Sequence, residues 1–180
     1  MKDKKLVVLG VTGSIAAYKA CELAGLLKKE GFEVQVLLTE NAKEFITPLT
    51  LTTISGNKAI SGMFETPEEW DPVHISIADR AAIVLIAPAT ASVIGKLASG
   101  ICDDILTCVT YATKAPVLIA PAMNTNMYRH PITQENISKL KKAGYNFIGP
   151  CEGKLACGAE GLGRLEQPAG IVKAVKRLAK

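Results

Sequence analysis

Aromatic side chains are scarce in this 180-residue chain, at 5% of the sequence. A core must therefore be filled by Val, Ile, Leu and Ala, which the 48% hydrophobic fraction supplies in plenty. Histidine occurs only twice, and none of the five cysteines (21, 102, 108, 151 and 157) stands in a CxxC pair. So thin a supply of imidazoles and paired thiols argues against a zinc site. The odd, unpaired cysteines fit a reduced, cytoplasmic setting. A strong charge of one sign is also lacking. The net charge is +4, with lysines scattered through helix-like segments, which reads as a solvated face and not as a nucleic-acid stripe. Nor is there a membrane-length apolar run. Beyond residue 80 the longest uncharged stretch, residues 81–95, contains Pro88 and is shorter than the ~20 residues a spanning helix needs. Lysines followed by LVVLGV at the amino end imitate a signal peptide, but the segment reads better as a first strand and glycine turn. No repeat or low-complexity tract is visible.

Strand-like runs recur at residues 5–10, 32–38, 82–87, 115–120 and 145–149. Most are continuously apolar, the mark of strands covered on both faces and hence of a parallel sheet. Helical patterns lie between them. One runs from Ile15 and stops at Gly31, a second spans 131–144 between a proline and a glycine, and a basic one closes the chain over 169–180. This β–α alternation predicts an α/β fold, a single-domain doubly wound parallel sheet of Rossmann-like or flavodoxin-like three-layer type. Such sheets bind ligands beyond the carboxyl ends of their strands. Residues 56–75 read as a long irregular loop.

The segments after the strands therefore carry the functional reading. After the first comes GVTGSIAAYK, residues 10–19. Gly10 and Gly13 permit a tight turn, Ser14 can cap the next helix, and a helix start suits a phosphate. The pattern is neither GxGxxG nor a P-loop, so a dinucleotide is not specified and one phosphate is the more economical fit. A turn followed by a cap also needs no ligand. Thr39 and Glu40 follow the second strand. After the third, Pro88 is expected to end the strand, and Thr90 and Ser92 put hydroxyls at a helix start, where they either cap it or bond a ring system. Asp103 and Asp104 read as caps, not as a metal pair. After the fourth, Met123, Asn124, Asn126 and Met127 lie between two prolines. An amide there can donate to a carboxylate, a thioether can lie against a flat ring, and Asn also serves plain turns.

GSIAAYK (13–19), His74 in PVHIS, PAMNTNMY (121–128) and LACGAEGLGRL (155–165) occur in this order. Together they resemble the flavin-dependent cysteine decarboxylases, and within them the phosphopantothenoylcysteine decarboxylases of coenzyme A biosynthesis. The resemblance covers essentially the whole chain. Its most specific parts are the Pro-x-Met-Asn motif and the Ala-Cys-Gly flap, a mobile segment over about 151–166. It implies FMN as cofactor, with Gly13, Ser14, Ile15, Thr39, Thr90, Ser92 and Met123 as its contacts. It implies 4′-phosphopantothenoyl-cysteine as substrate, bound by Asn124 at the carboxylate and by Met127. The implied chemistry is transient oxidation of the substrate thiol to a thioaldehyde, loss of CO2, and re-reduction to 4′-phosphopantetheine. Cys157 matches the proton donor of the flap, with Gly158, Gly161 and Gly163 letting it close. His74 matches the active-site histidine, and His130 is read as structural.

Two positions depart from the family pattern. Tyr128 replaces a usual Trp, which keeps an aromatic body, and Ser92 replaces a frequent Asn, which puts one flavin contact in question. Relatives often carry a second, synthetase domain, and a chain ending at Lys180 is expected to be a stand-alone decarboxylase. The family also implies homotrimers with sites between subunits, and dodecamers built from them, with no nucleic-acid or membrane partner. Competing readings are a peptidyl-cysteine decarboxylase, a flavin prenyltransferase and, outside catalysis, an FMN-binding regulatory subunit.

Overall fold

A computed structural model describes residues 4–63, 72–154, 156, 158 and 160–179. The chain alternates strand and helix. β1 (Leu6–Val11) is followed by a 3-10 turn (Ile15–Tyr18) running into α1 (Lys19–Lys29), then β2 (Glu33–Leu38) and α2 (Pro48–Ser55). Next come α3 (Val73–Arg80), β3 (Ala81–Ala89), α4 (Ala91–Ser99) and α5 (Ile105–Ala112). β4 (Val117–Pro121), α6 (Thr125–Arg129), α7 (Pro131–Lys142) and β5 (Asn146–Phe147) complete the main layer structure. A hairpin of β6 (Cys151–Lys154) and β7 (Glu160–Arg164) precedes α8 (Pro168–Leu178).

The strands align in the order β2-β1-β3-β4-β5, and every pairing in this sheet is parallel. This is the expected doubly wound fold in its flavodoxin-like order. Continuous apolar runs produce it because each strand is covered twice. Val7, Leu9 and Val11 join a cluster with Leu23 and Leu27 of α1 and with Ile171 and Val175 of α8. Leu6 and Val8 belong to the opposite cluster, with Ile94 and Leu97 of α4, Leu106 of α5 and Ile137 of α7. Fully burying one such Leu or Ile contributes about 1.5–3 kcal/mol. Among the described residues, no helix is long and apolar enough to cross a membrane.

Four local expectations change. Gly10 is not a turn residue but the fifth residue of β1. A Cβ there would lie 2.4 Å from Leu106 Cδ1, so glycine is present to let α5 pack against the strand. Pro88 does not end its strand, which continues to Ala89, and the β3–β4 register shifts between Ile86 and Ala89. A proline without an N–H fits at such an irregularity. The fifth strand is only two residues long, an edge segment paired to β4 alone. The irregular loop over 56–75 is interrupted at both ends. Ile60 bridges to Leu37 beside β2, and α3 begins at Val73, so His74 stands on a helix. Residues 64–71 lie outside the described residues.

Helix ends explain the remaining polar positions. Asp104 accepts from Thr107 N at 2.8 Å while Thr107 Oγ1 accepts from Asp104 N at 3.2 Å, a capping box that starts α5. Lys96 pairs with Asp103 at 2.7 Å and with Asp104 at 3.2 Å, a surface arrangement that holds the loop and calls for no metal.

Candidate functional site

The sheet order reverses between β1 and β3, so the loops leaving these strands part and open a crevice at their carboxyl ends. A residue the motif reading passed over stitches that point. Thr12, 1% exposed, donates its hydroxyl to Pro88 O at 2.7 Å and accepts from Thr90 N at 3.1 Å. Two polar backbone groups at the switch point are thus paired, where leaving each buried and unpaired costs about 1–3 kcal/mol. Its only sequence signal is a lone hydroxyl closing an apolar strand.

Gly13 follows. A Cβ on it would lie 2.6 Å from Asn41 Cβ and 3.0 Å from Asn41 O. Glycine is required because the segment after β2 packs onto the turn, held by Thr39 N donating to Val11 O at 3.0 Å. Ser14 accepts from Ala16 N at 3.4 Å, which caps the 3-10 turn, and donates to Ala122 O at 3.3 Å. It thereby joins the loop of β1 to the loop of β4.

The β4 loop presents Met123 and Asn124. Asn124 caps α6 by accepting from Asn126 N through Oδ1 at 2.8 Å. That bond settles which end of the amide is the carbonyl, and it turns the Nδ2 end, a donor, the other way. The hairpin lies against the same loop. Met123 N donates to Gly163 O at 3.0 Å, and a Cβ on Gly163 would fall 2.1 Å from Met123 O. A Cβ on Gly161 would fall 2.5 Å from Thr125 Oγ1, a buried hydroxyl without a hydrogen-bond partner among the described residues. Two flap glycines are thus close-approach positions, a different use from the hinge freedom the sequence suggested. Gly158, by contrast, has φ 85° and no described atom within 4 Å of where a Cβ would lie.

Between these parts runs a groove of about 690 Å³ lined by Ser14, Ile15, Tyr18, Met123 and Asn124 on one side and by hairpin residues on the other. Four residues proposed from sequence, Ser14, Ile15, Met123 and Asn124, therefore share one site, with Gly13 at its turn. The other described candidates are not among its lining residues. Thr39 packs against β1. Thr90 caps α4 by accepting from Val93 N at 3.3 Å, and Ser92 is exposed two residues on, in the first turn. Met127 is exposed on α6, and His74 is half-buried in the first turn of α3. Cys157 lies outside the described residues, although Ala156 beside it lines the groove.

The donor set fits a flavin. An isoalloxazine is flat, apolar along one edge and polar along the other. The groove offers Met123, Leu165 and an Ile15 that is 58% exposed, together with the hydroxyl of Ser14 and the amide of Asn124. The described thiols offer no competing nucleophile. Cys21, Cys102, Cys108 and Cys151 are free, and burial is the main influence pushing each thiol up from its ordinary value, so they stay protonated at neutral pH.

Comparison with known proteins decides the family. The model of the Flavoprotein family matches residues 1–180. This chain belongs to the Flavoprotein family. It is 48% identical over 177 residues to the Coenzyme A biosynthesis bifunctional protein CoaBC of Bacillus subtilis (strain 168), covering 98% of this chain and 44% of that protein. The chain thus spans less than half the length of that bifunctional relative. It is 44% identical over 174 residues to a Streptococcus mutans protein named "Probable phosphopantothenoylcysteine decarboxylase", covering 96% of this chain and 97% of the other. Among solved structures, a cysteine-to-serine mutant of PPC decarboxylase complexed with pantothenoylaminoethenethiol superposes with a TM-score of 0.89. Its identity is 30%, over 97% of either chain.

Sequence motifs did not single out Thr12, Tyr18, Lys19, Lys154 or Arg164. Glycines at alternate positions of β7, Gly161 and Gly163, were a legible sign that another backbone comes close to that strand.

Proposed function

We propose that this flavoprotein decarboxylates 4′-phosphopantothenoyl-cysteine to 4′-phosphopantetheine with FMN as cofactor. One observation carries the reading. An Asn amide with its donor end fixed shares a groove with a capped glycine–serine turn and with the hairpin that bears the Ala-Cys-Gly segment. When bound, FMN supplies a two-electron acceptor that draws electrons from the carbon bearing the substrate thiol and restores them once CO2 has left.

The chain's own residues do the rest. The turn at Gly13 and Ser14 receives the cofactor phosphate. Ile15 and Met123 give the ring an apolar seat. Asn124 holds the substrate carboxylate through neutral N–H donors, which orient it without the fixed cation that would stabilise the carboxylate against departure. The hairpin covers the groove and keeps water from the reacting carbons. Cys157 returns a proton to the product carbon, as an ordinary thiol, protonated near pH 7, is equipped to do. His74 completes the site from a neighbouring subunit of a trimer, which accounts for its place outside the groove of a single chain. The setting is cytoplasmic.

The test is product analysis. FMN-loaded protein given 4′-phosphopantothenoyl-cysteine is expected to release one CO2 per substrate and yield a product lighter by that mass. A peptide ending in cysteine, which lacks the substrate's phosphate, is expected to react at less than about a hundredth of that rate, the scale of losing two charge-assisted hydrogen bonds to that phosphate. Equal rates would transfer the assignment to peptide maturation. FMN binding with no CO2 from either substrate would make the chain a regulatory flavoprotein.

A further inference from the structure

The groove has a charge bias that the reaction centre does not need. Lys19, at the start of α1, and Lys154 and Arg164, on the hairpin, all line it, and no carboxylate does among the described residues. The ion pairs between described residues involve other cations: Lys43, Arg80, Lys96 and Lys176. Two acids lie near the hairpin cations. Glu166 is engaged with Gln167 N, at 2.8 Å, and with the Cys151 thiol, and Glu160 stands opposite Lys154 in the ladder without an ion pair joining them.

Arg164 and Lys154 stand at opposite ends of the hairpin ladder, and both line the same groove. Arg164 is paired with Cys151, three residues before Lys154 and so about 10 Å from it along the strand. Its side chain runs back over Gly153. A Cβ on Gly153 would lie 2.6 Å from Arg164 Nη1 and 3.0 Å from Arg164 Cδ. Glycine there, with φ 145°, leaves room for the guanidinium beside the residue that precedes Lys154. A planar guanidinium and an ammonium on the wall of one groove, with no carboxylate among its described lining residues, suit a phosphate dianion.

Resting on the function proposed above, we infer that Arg164 and Lys154 bind the phosphate end of the substrate and set the preference for a phosphorylated tail. Lys19 on the facing wall adds to the field. A peptidyl tail has no such dianion, so the pair separates the two substrate classes at a point distant from the bond that breaks. The cofactor also carries a phosphate, and the test must tell the two apart.

Arg164→Gln, Lys154→Gln and the double variant are compared with the parent in three measurements. The first is the ratio of kcat/KM for 4′-phosphopantothenoyl-cysteine to that for pantothenoyl-cysteine. The second is binding of 4′-phosphopantothenate against pantothenate to FMN-loaded protein, which needs no catalysis. The third is the FMN dissociation constant. Each single variant is expected to lower the kcat/KM ratio about tenfold and the double variant about a hundredfold, at the scale of one charge-assisted contact each. The binding preference falls in parallel, and FMN affinity stays within about twofold. An unchanged ratio and binding preference would overturn the inference. So would a tenfold loss of FMN affinity with the ratio intact, which would assign the cations to the cofactor. If the parent releases CO2 from neither substrate, the functional reading fails, and the binding arm still decides the phosphate receptor.

Discussion

Replacing Asn124 with Asp yields a folded, FMN-binding chain whose kcat/KM for decarboxylation falls about a thousandfold. The fold survives because Asp is as good a helix cap as Asn, and the cap is the contact Asn124 makes through Oδ1 with Asn126 N. The other end of the side chain changes from an N–H donor to an anionic oxygen. Two like charges 4 Å apart repel by about 4 kcal/mol at the effective dielectric of a protein surface, which is roughly a thousandfold in rate. The measurement is CO2 release beside the flavin absorbance of the same preparation. Full activity with normal flavin content would remove Asn124 from the carboxylate site. Loss of both would show that its role is structural.

Gly163→Ala is expected to loosen the hairpin from the sheet. Its Cβ would lie 2.1 Å from the carbonyl oxygen of Met123, an atom of backbone that cannot swing aside like a side chain. The Met123 N to Gly163 O bond at 3.0 Å is strained by any shift that relieves the clash. Overpacking of this kind costs about 1–3 kcal/mol, so the melting temperature falls by roughly 2–12 °C in a chain of this size. Activity falls further than stability, because the displaced hairpin no longer closes the groove over Met123 and Asn124. Gly158→Ala, at a positive φ with no described atom close to its Cβ position, tests the other use of glycine in the flap. If its loss of activity matched that of Gly163→Ala, conformational freedom and not close approach would govern the hairpin.

The layer structure was readable from the sequence because burial on both faces leaves a direct trace, as the uninterrupted LVVLGV of β1 and AAIVLIAPA of β3 show. The place of the candidate groove was readable for a similar reason. Ser14 and Asn124 are polar residues placed just beyond apolar strands, and doubly wound sheets bind ligands there. What escaped was set by tertiary contact. Gly10 looks like a turn glycine until Leu106, nearly a hundred residues later, is found against it. Thr12 looks like filler between two glycines, and only the return of β3 beside β1 gives its hydroxyl two partners. Lys154 and Arg164 look like unrelated surface charges until the hairpin is found to place both on the wall of one groove. His74 has the opposite history. A motif names it, yet it stands half-buried on α3 and is not among the groove's lining residues; its part in the site belongs to the proposed assembly.

The account stands or falls on an electron acceptor seated at the carboxyl edge of β1 and β4. Its most direct test is the visible spectrum of the protein titrated with FMN and then with 4′-phosphopantothenoyl-cysteine under anaerobic conditions. Saturable FMN binding is predicted, followed by a loss of the flavin band on adding substrate that reverses as CO2 is released. A chain that takes up no FMN and still turns the substrate over would contradict it.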